Sequence, residues 1–250
     1  MTLLKGTIFN TPVLRVNNRQ VNIDFYQKSL GMKLVYEENA IAVFTSFGDG
    51  KERFVIEETP SARARAVEGA KKLNTIVIKS KEPKAIEQLI AHGAEVERLF
   101  KGKNGYAYET FSPEGDRFLL HAEDDVNFLE AAELPQLEAD KDFRGLPDFT
   151  FEKIVLNVLD EQKSRNFYEA LFESSFPIEM DFTQASGPDL AIAPNLTWDL
   201  EILEFSVPKE CDLKQVKAQW EAKGLDLYLD KKENILVLSD PSQVEVWLMK

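Results

Sequence analysis

One cysteine and two histidines are all that 250 residues supply of the side chains most used to hold transition metals. Cys211 has no partner for an internal disulfide, which fits a reducing compartment. His92 and His121 are too few for a His-rich metal centre. No apolar run approaches the ~20 residues that cross a bilayer. The opening Met1–Lys5 turns polar at Asn10, without the apolar stretch and cleavage site of a secretory leader, so a cytoplasmic location is expected. Basic residues are also short, 30 against 43 acidic ones, for a net charge of −13. That field repels phosphate backbones and anionic bilayers, so neither nucleic acid nor membrane is an expected partner. His-Glu-x-x-His, Gly-x-Ser-x-Gly and Asp-Thr/Ser-Gly are all absent, which leaves proteolysis without a local signature.

What the chain does contain is a recurring order of elements. The apolar and charged fractions, 44% and 29%, are those of a globular protein. Thr7–Val16 alternates as a strand, with Pro12, Leu14 and Val16 on one face and Thr11, Val13 and Arg15 on the other. A helix follows whose apolar stripe takes Val21, Ile23, Phe25, Tyr26 and Leu30, and Gly31 stops it. Short strands at Lys33–Tyr36, Ile41–Phe47 and Arg53–Glu58 complete the unit, with turns at Asn39 and Gly48-Asp49-Gly50. The order repeats in Leu73–Lys79, the helix Pro83–His92, and strands at Glu95–Phe100, Tyr106–Phe111 and Arg117–His121. Residues 126–148 read as an acidic linker with one short helix at Val126–Ala132. A third strand and helix, Phe151–Leu159 and Lys163–Glu173, open the second half. Too few residues separate Phe176 from Trp198 for three full strands there. A fourth unit runs from Leu200 to Met249. The fold class expected is α+β, built of tandem βαβββ units. Residues 1–125 form one domain and residues 149–250 a second, reduced one.

The phrase PVLRVNNRQVNIDFYQKSLGM, repeated as LNVLDEQKSRNFYEALFE, resembles the strand-helix opening of the vicinal oxygen chelate superfamily. That superfamily includes glyoxalase, bleomycin-resistance proteins and extradiol dioxygenases. SPEGDRFLL and DPSQVEVWL are similar to its Asp-Pro-x-Gly turn before the last strand. PVLRVNNRQVN, RARAVEGAKKL and YAYETFSPEGDRFLLHAEDD further resemble the streptococcal CppA family, described as degrading complement C3. That resemblance implies a proteinase acting on a host protein, complement C3.

The oxygen-chelate resemblance also implies a metal held by a His or Gln on opening strands and a Glu on closing strands. The corresponding positions here are Thr11 (or Asn10), Asn74 and Lys153, with Leu119 and Trp247. None is a good ligand, so no metal and no cofactor are expected, and a metal-dependent lyase or dioxygenase is disfavoured. For proteolysis the residues offer Cys211 just ahead of a helix, or a serine (Ser46 or Ser112) with His121 as base. Arg15, Arg53, Glu57, His121 and Lys153 are placed by strand parity at a ligand-binding cleft. Arg63, Arg65, Lys71 and Lys72 add positive charge from the unit-joining loop. Such a cleft suits a small anionic ligand or a peptide, gripped by a guanidinium. The competing expectation is that Arg15 pairs with Glu57 across the sheet. The aromatic set Phe44, Phe47, Tyr106, Tyr108 and Phe111 is read as pocket lining or as ordinary core. Two functions follow, a CppA-like proteinase and a non-catalytic binding module.

Overall fold

Alternation in the first strand, β1 (Ile8–Val16), buries Leu14 and Val16 completely beneath the first helix, α1 (Arg19–Leu30). Asn18 caps that helix by accepting the Val21 N–H at 3.1 Å. Gly31 ends it at φ 59, a left-handed turn that glycine adopts without penalty. The stripe it buries runs Ile23, Phe25, Tyr26, Leu30; Val21 is 49% exposed, because its phase at 100° per residue puts it off that stripe. A computed structural model describes residues 4–48, 50, 53–59, 62–172 and 176–250 of the chain. The turn residue Asp49 and the helix end Glu173 lie outside these.

Strands β2 (Lys33–Glu38), β3 (Ile41–Thr45) and β4 (Phe54–Glu58) complete the first unit. β4 lies parallel to β1, β3 antiparallel to β4, and β2 at the edge. The second unit repeats this with β5 (Leu73–Lys79), α2 (Pro83–Ala91), β6 (Arg98–Lys101), β7 (Tyr106–Phe111) and β8 (Arg117–His121). The short helix expected at Val126–Ala132 is instead a 3₁₀ turn, Val126–Phe128, followed by the edge strand β9 (Glu130–Ala131) against β6. The third unit has β10 (Thr150–Val158), α3 (Glu161–Phe172) and β11 (Glu179–Gln184). The fourth has β12 (Leu200–Ser206), α4 (Leu213–Glu221), β13 (Tyr228–Leu229), β14 (Ile235–Ser239) and β15 (Glu245–Met249). β15 lies parallel to β12, as β4 does to β1. In the third unit β11 already lies parallel to β10. The missing piece is therefore the middle hairpin, and the closing strand is kept.

The sheets do not follow the two halves of the chain. β1 pairs antiparallel with β12, and β5 with β10. The eight-stranded sheet runs β13-β14-β15-β12-β1-β4-β3-β2 and the seven-stranded one β11-β10-β5-β8-β7-β6-β9. Each thus takes one unit from residues 1–125 and one from residues 149–250. One core joins the helices to one face of both sheets. At its centre Phe118 meets the edges of Tyr26 and Phe54, with ring centroids 5.7 and 6.3 Å away. The acidic segment between the halves is fastened to this body. The Gln88 side chain accepts the Asp140 N–H and donates to the Glu138 carbonyl, His92 Nε2 meets the Asp140 carbonyl at 2.8 Å, and Leu146 is buried with its N–H on Gly31 O. Gly145 (φ 145) passes so close to Gly31 O that a Cβ would sit 2.5 Å from it.

The two tyrosines that follow phenylalanine in α1 and α3 occupy matching places. Tyr168 OH donates to Asp240 Oδ2 at 3.0 Å, in the turn before β15, and Tyr26 lies near Ser112 and Asp116, in the turn before β8. The two turns match in backbone as well: Gly115 and Gln243 both have positive φ, 82 and 63. Asp240 Oδ1 accepts the N–H groups of Ser242 and Val244, both at 2.8 Å. Burial pushes the Asp240 carboxyl up to about 6, against these donors. The unfolded chain loses that proton near pH 4, so between about pH 4 and about pH 6 only the folded state keeps it. Stability is therefore expected to fall as pH rises through that window, by up to about 3 kcal/mol from this group. Asp240→Asn should flatten the slope. Urea denaturation at a series of pH values checks this, and an unchanged slope in the variant would refute it.

Candidate functional site

The parity read from β1 holds. Opposite Leu14 and Val16, the residues Thr11, Val13 and Arg15 face away from the helices, on the open face of the eight-stranded sheet. Val13, Val43, Val55 and Ile202 form a small apolar patch there, flanked by Ile41 and Trp247. Arg15 is buried beside it. Its Nε reaches Glu201, its Nη1 the Thr59 hydroxyl, and its Nη2 lies 3.3 Å from Glu57. Arg53 pairs with Glu204 through Nη1. Burial raises both Glu201 and Glu204 above the usual carboxylate range; Arg15 opposes the shift at Glu201, whereas Glu57 and Glu245 add to it. Arg53 opposes the shift at Glu204.

This corrects the expectation of a positive cleft. Two guanidiniums here face the four carboxylates Glu57, Glu201, Glu204 and Glu245. Glu201 and Glu204 come from β12, across the β1–β12 seam, and so from the other half of the chain. Three basic residues of the joining loop are likewise committed. Arg65 grips Asp189 through both terminal nitrogens (2.6 and 2.8 Å), Lys71 Nζ meets Asp116 at 2.6 Å, and Lys72 Nζ donates to Ile192 O at 2.8 Å.

The other two residues expected in the cleft lie elsewhere. His121 and Lys153 belong to the seven-stranded sheet, so they share no face with Arg15, Arg53 and Glu57. His121 is fully buried. Its Nδ1 accepts the Glu123 N–H at 3.1 Å, which leaves the ring proton on Nε2, 2.8 Å from Glu152 Oε2. Burial lowers its pKa, against the pull of Glu152. Lys153 holds Asp181 at 2.6 Å and Glu179 at 2.8 Å. Burial pulls its pKa down, but those two carboxylates outweigh it and the net shift is upward.

The named nucleophile and base candidates lie on separate elements. Cys211 is 8% exposed and part of the core ahead of α4, where burial raises its thiol pKa. Asp212 supplies the cap of α4, accepting the N–H groups of Lys214 and Gln215. The Ser112 hydroxyl donates to Asp116 at 2.8 Å. Ser46 follows β3 in the eight-stranded sheet, whereas His121 ends β8 in the other. Of the aromatic set, Phe44 and Tyr108 are core, and Tyr106 lies under the Lys101 ammonium, 3.7 Å from its centroid.

The donor set does not fit the metal that the oxygen-chelate resemblance implies. Asn74 is spent on Asn157 and Thr75, Thr11 on the Pro12 carbonyl, Lys153 is cationic, and Leu119 and Trp247 offer no ligand. Among the described residues no three His, Cys, Asp or Glu side chains group as a metal site. A cation at Glu57 and Glu201 would have to displace Arg15.

Sequence reading missed Glu201, Glu204, Thr59 and Glu152. The first two carried a signal, since an acid inside the otherwise apolar strand LEILEFS needs a partner.

Residues 9–132 match the CppA N-terminal family and residues 146–248 the CppA C-terminal family. The chain is 35% identical to the cppA protein of Streptococcus pneumoniae TIGR4, covering 96% of this chain and 97% of that one, with a TM-score of 0.85. Glyoxalase I from Zea mays matches at 13% identity over 98% of this chain and 92% of its own, with a TM-score of 0.59, a likeness of fold alone. No curated protein matches the chain in sequence. The architecture is that of the vicinal oxygen chelate fold. No helix among the described residues is long and apolar enough to cross a membrane.

Arg15→Met removes the cation shared by Glu57 and Glu201 and leaves Glu201 buried without it. A loss of about 3 kcal/mol is expected. Adding Glu201→Gln should recover much of that loss, since the uncompensated charge is then gone. Urea midpoints of the single and double variants test this. A double variant no more stable than Arg15→Met would show that the cost does not come from the stranded carboxylate.

Proposed function

The chain belongs to the CppA family, and from that premise we propose that it is a metal-free, non-catalytic binding protein. The observation that carries this reading is the cage around Arg15. On the open face where the oxygen-chelate resemblance implies ligands at Thr11 and Trp247, neither side chain is a good ligand, and a guanidinium is already paired there with Glu57, Glu201 and Thr59. Such an arrangement is closed to oxygen ligands and supplies neither a Lewis acid nor an activated water.

The proteinase activity that the resemblance implies would need an activated nucleophile. Cys211 and His121, its two candidates, are buried on different elements, the thiol raised and the imidazole held at both nitrogens. On this reading a host protein such as complement C3 would be engaged as a ligand and left uncleaved. A small anionic ligand or a peptide is the other class of partner that the fold can accommodate.

The test compares wild type, Cys211→Ser and His121→Ala, purified identically and incubated with complement C3. All three are expected to behave alike, with any residual cleavage separating from the protein on further chromatography. Cleavage abolished in either variant, with the fold intact by circular dichroism, would restore a hydrolytic function. Elemental analysis should find far less than one equivalent of zinc, iron or manganese per chain, and one full equivalent would overturn the metal-free assignment.

A further inference from the structure

A cavity of about 460 Å³ opens where the starts of β1 and β10 approach one another from the two sheets. Its volume falls within the range of small-ligand sites, roughly 300–1,000 Å³. Three phenylalanines build its wall. Phe9 and Phe151 meet edge to face at 5.8 Å across the two sheets, and Phe149 meets Phe151 at 5.7 Å. Phe149 is fully buried, whereas Phe9 and Phe151 remain partly accessible, so their rings are available from the cavity.

The charge in this cavity comes from one side chain. Among the described lining residues Arg53 alone is ionised. Its side chain is 38% exposed, unlike the caged Arg15, and Glu204 engages it through Nη1. A guanidinium presents five N–H donors in a planar fork, so one carboxylate on one nitrogen uses only part of it. Asn10, also in the lining, gives its amide to Ser206 Oγ at 2.7 Å.

We propose that this cavity binds a small monocarboxylate with an apolar or aromatic body. The carboxylate sits on Arg53 and the body lies against Phe9 and Phe151, which Phe149 backs from the core. A planar carboxylate matches the fork in a way that a spherical anion does not. A phosphate dianion is disfavoured, because a single guanidinium already shared with Glu204 would face two charges within a chain of net charge −13. An aromatic ring adds its own edge-to-face contact to the phenylalanine wall. The inference deepens the binding reading and rests on it. Its outcome is separate from the cleavage comparison, since neither Cys211 nor His121 lines the cavity.

Phenylacetate is the probe, titrated by calorimetry and followed through the ring signals of Phe9 and Phe151 in NMR spectra. Acetate supplies the charge without the ring, and benzyl alcohol the ring without the charge. Saturable binding of phenylacetate, clearly tighter than either control, is expected. Arg53→Gln should weaken it by about tenfold or more, the loss of one charge-assisted hydrogen bond. Ile8→Glu is the second variant; Ile8 lines the cavity and is 60% exposed, so it can take a carboxylate without disturbing the core. It should weaken phenylacetate and leave benzyl alcohol unchanged. Absence of saturable binding, equal affinity for benzyl alcohol, or indifference to both variants would each overturn the assignment.

Discussion

Two antiparallel seams, β1 on β12 and β5 on β10, oblige the halves of this chain to fold as one object. A half folded alone would expose an opening strand along its full length on each sheet, with backbone groups unpaired. The seams also make both open faces composite. Arg15 and Arg53 come from the first half, and the second half supplies Glu201 and Glu204 beside the first half's own Glu57. Electrostatics that cannot be balanced within one half is balanced across the seam. The core also links units within a half. Tyr26 of the first unit lies near the closing turn of the second, and Tyr168 of the third bonds the closing turn of the fourth. Packing thus ties neighbouring units within a half and, through Phe9 with Phe205 and Phe54 with Phe151, joins the halves together with the hydrogen-bonded strands.

The third unit shows what the fold can lose. Without a middle hairpin, β11 ends the seven-stranded sheet with its outer edge unpaired by any described strand. In the other three units an antiparallel strand covers that position. The exposed edge is blunted by charge. Arg165 lies over the Phe182 ring at 5.6 Å and pairs with Glu161, while Asp181 and Glu179 hold Lys153. Charged side chains along an edge discourage pairing with another chain.

Much of this architecture was legible because it is local. The parity of LRV in β1, the stop at Gly31, the proline opening of α2 and the shortage of residues after Phe176 each depend on a few neighbouring positions. Period-2 and period-3.6 patterns report such features directly. The grouping of the site was not legible in the same way. Glu57 and His121 both sit near the end of a closing strand in the same half, yet they belong to different sheets. Which opening strands pair is decided by contacts far apart in the sequence, such as Val13 with Ile202. The sign of the cleft failed for the same reason, since three of its four carboxylates lie beyond residue 200. Burial could not be read for Cys211 either. A residue ahead of a helix can lie at an exposed N-terminus or in the core, and the packing of the helix decides which.

The Arg15 cage constrains how this chain could be related to a metal enzyme by substitution. Replacing Arg15 alone would not create a site, because the freed carboxylates come from β4 and β12 while the flanking positions remain Val13, Ile202 and Trp247. Three neutral or anionic ligands with an open coordination position would have to appear together. Until they did, Glu201 would be buried beside Glu57 and Glu245 without its cation, and like charges would oppose one another at low dielectric. The guanidinium thus acts as one fixed cation that neutralises converging carboxylates on this face.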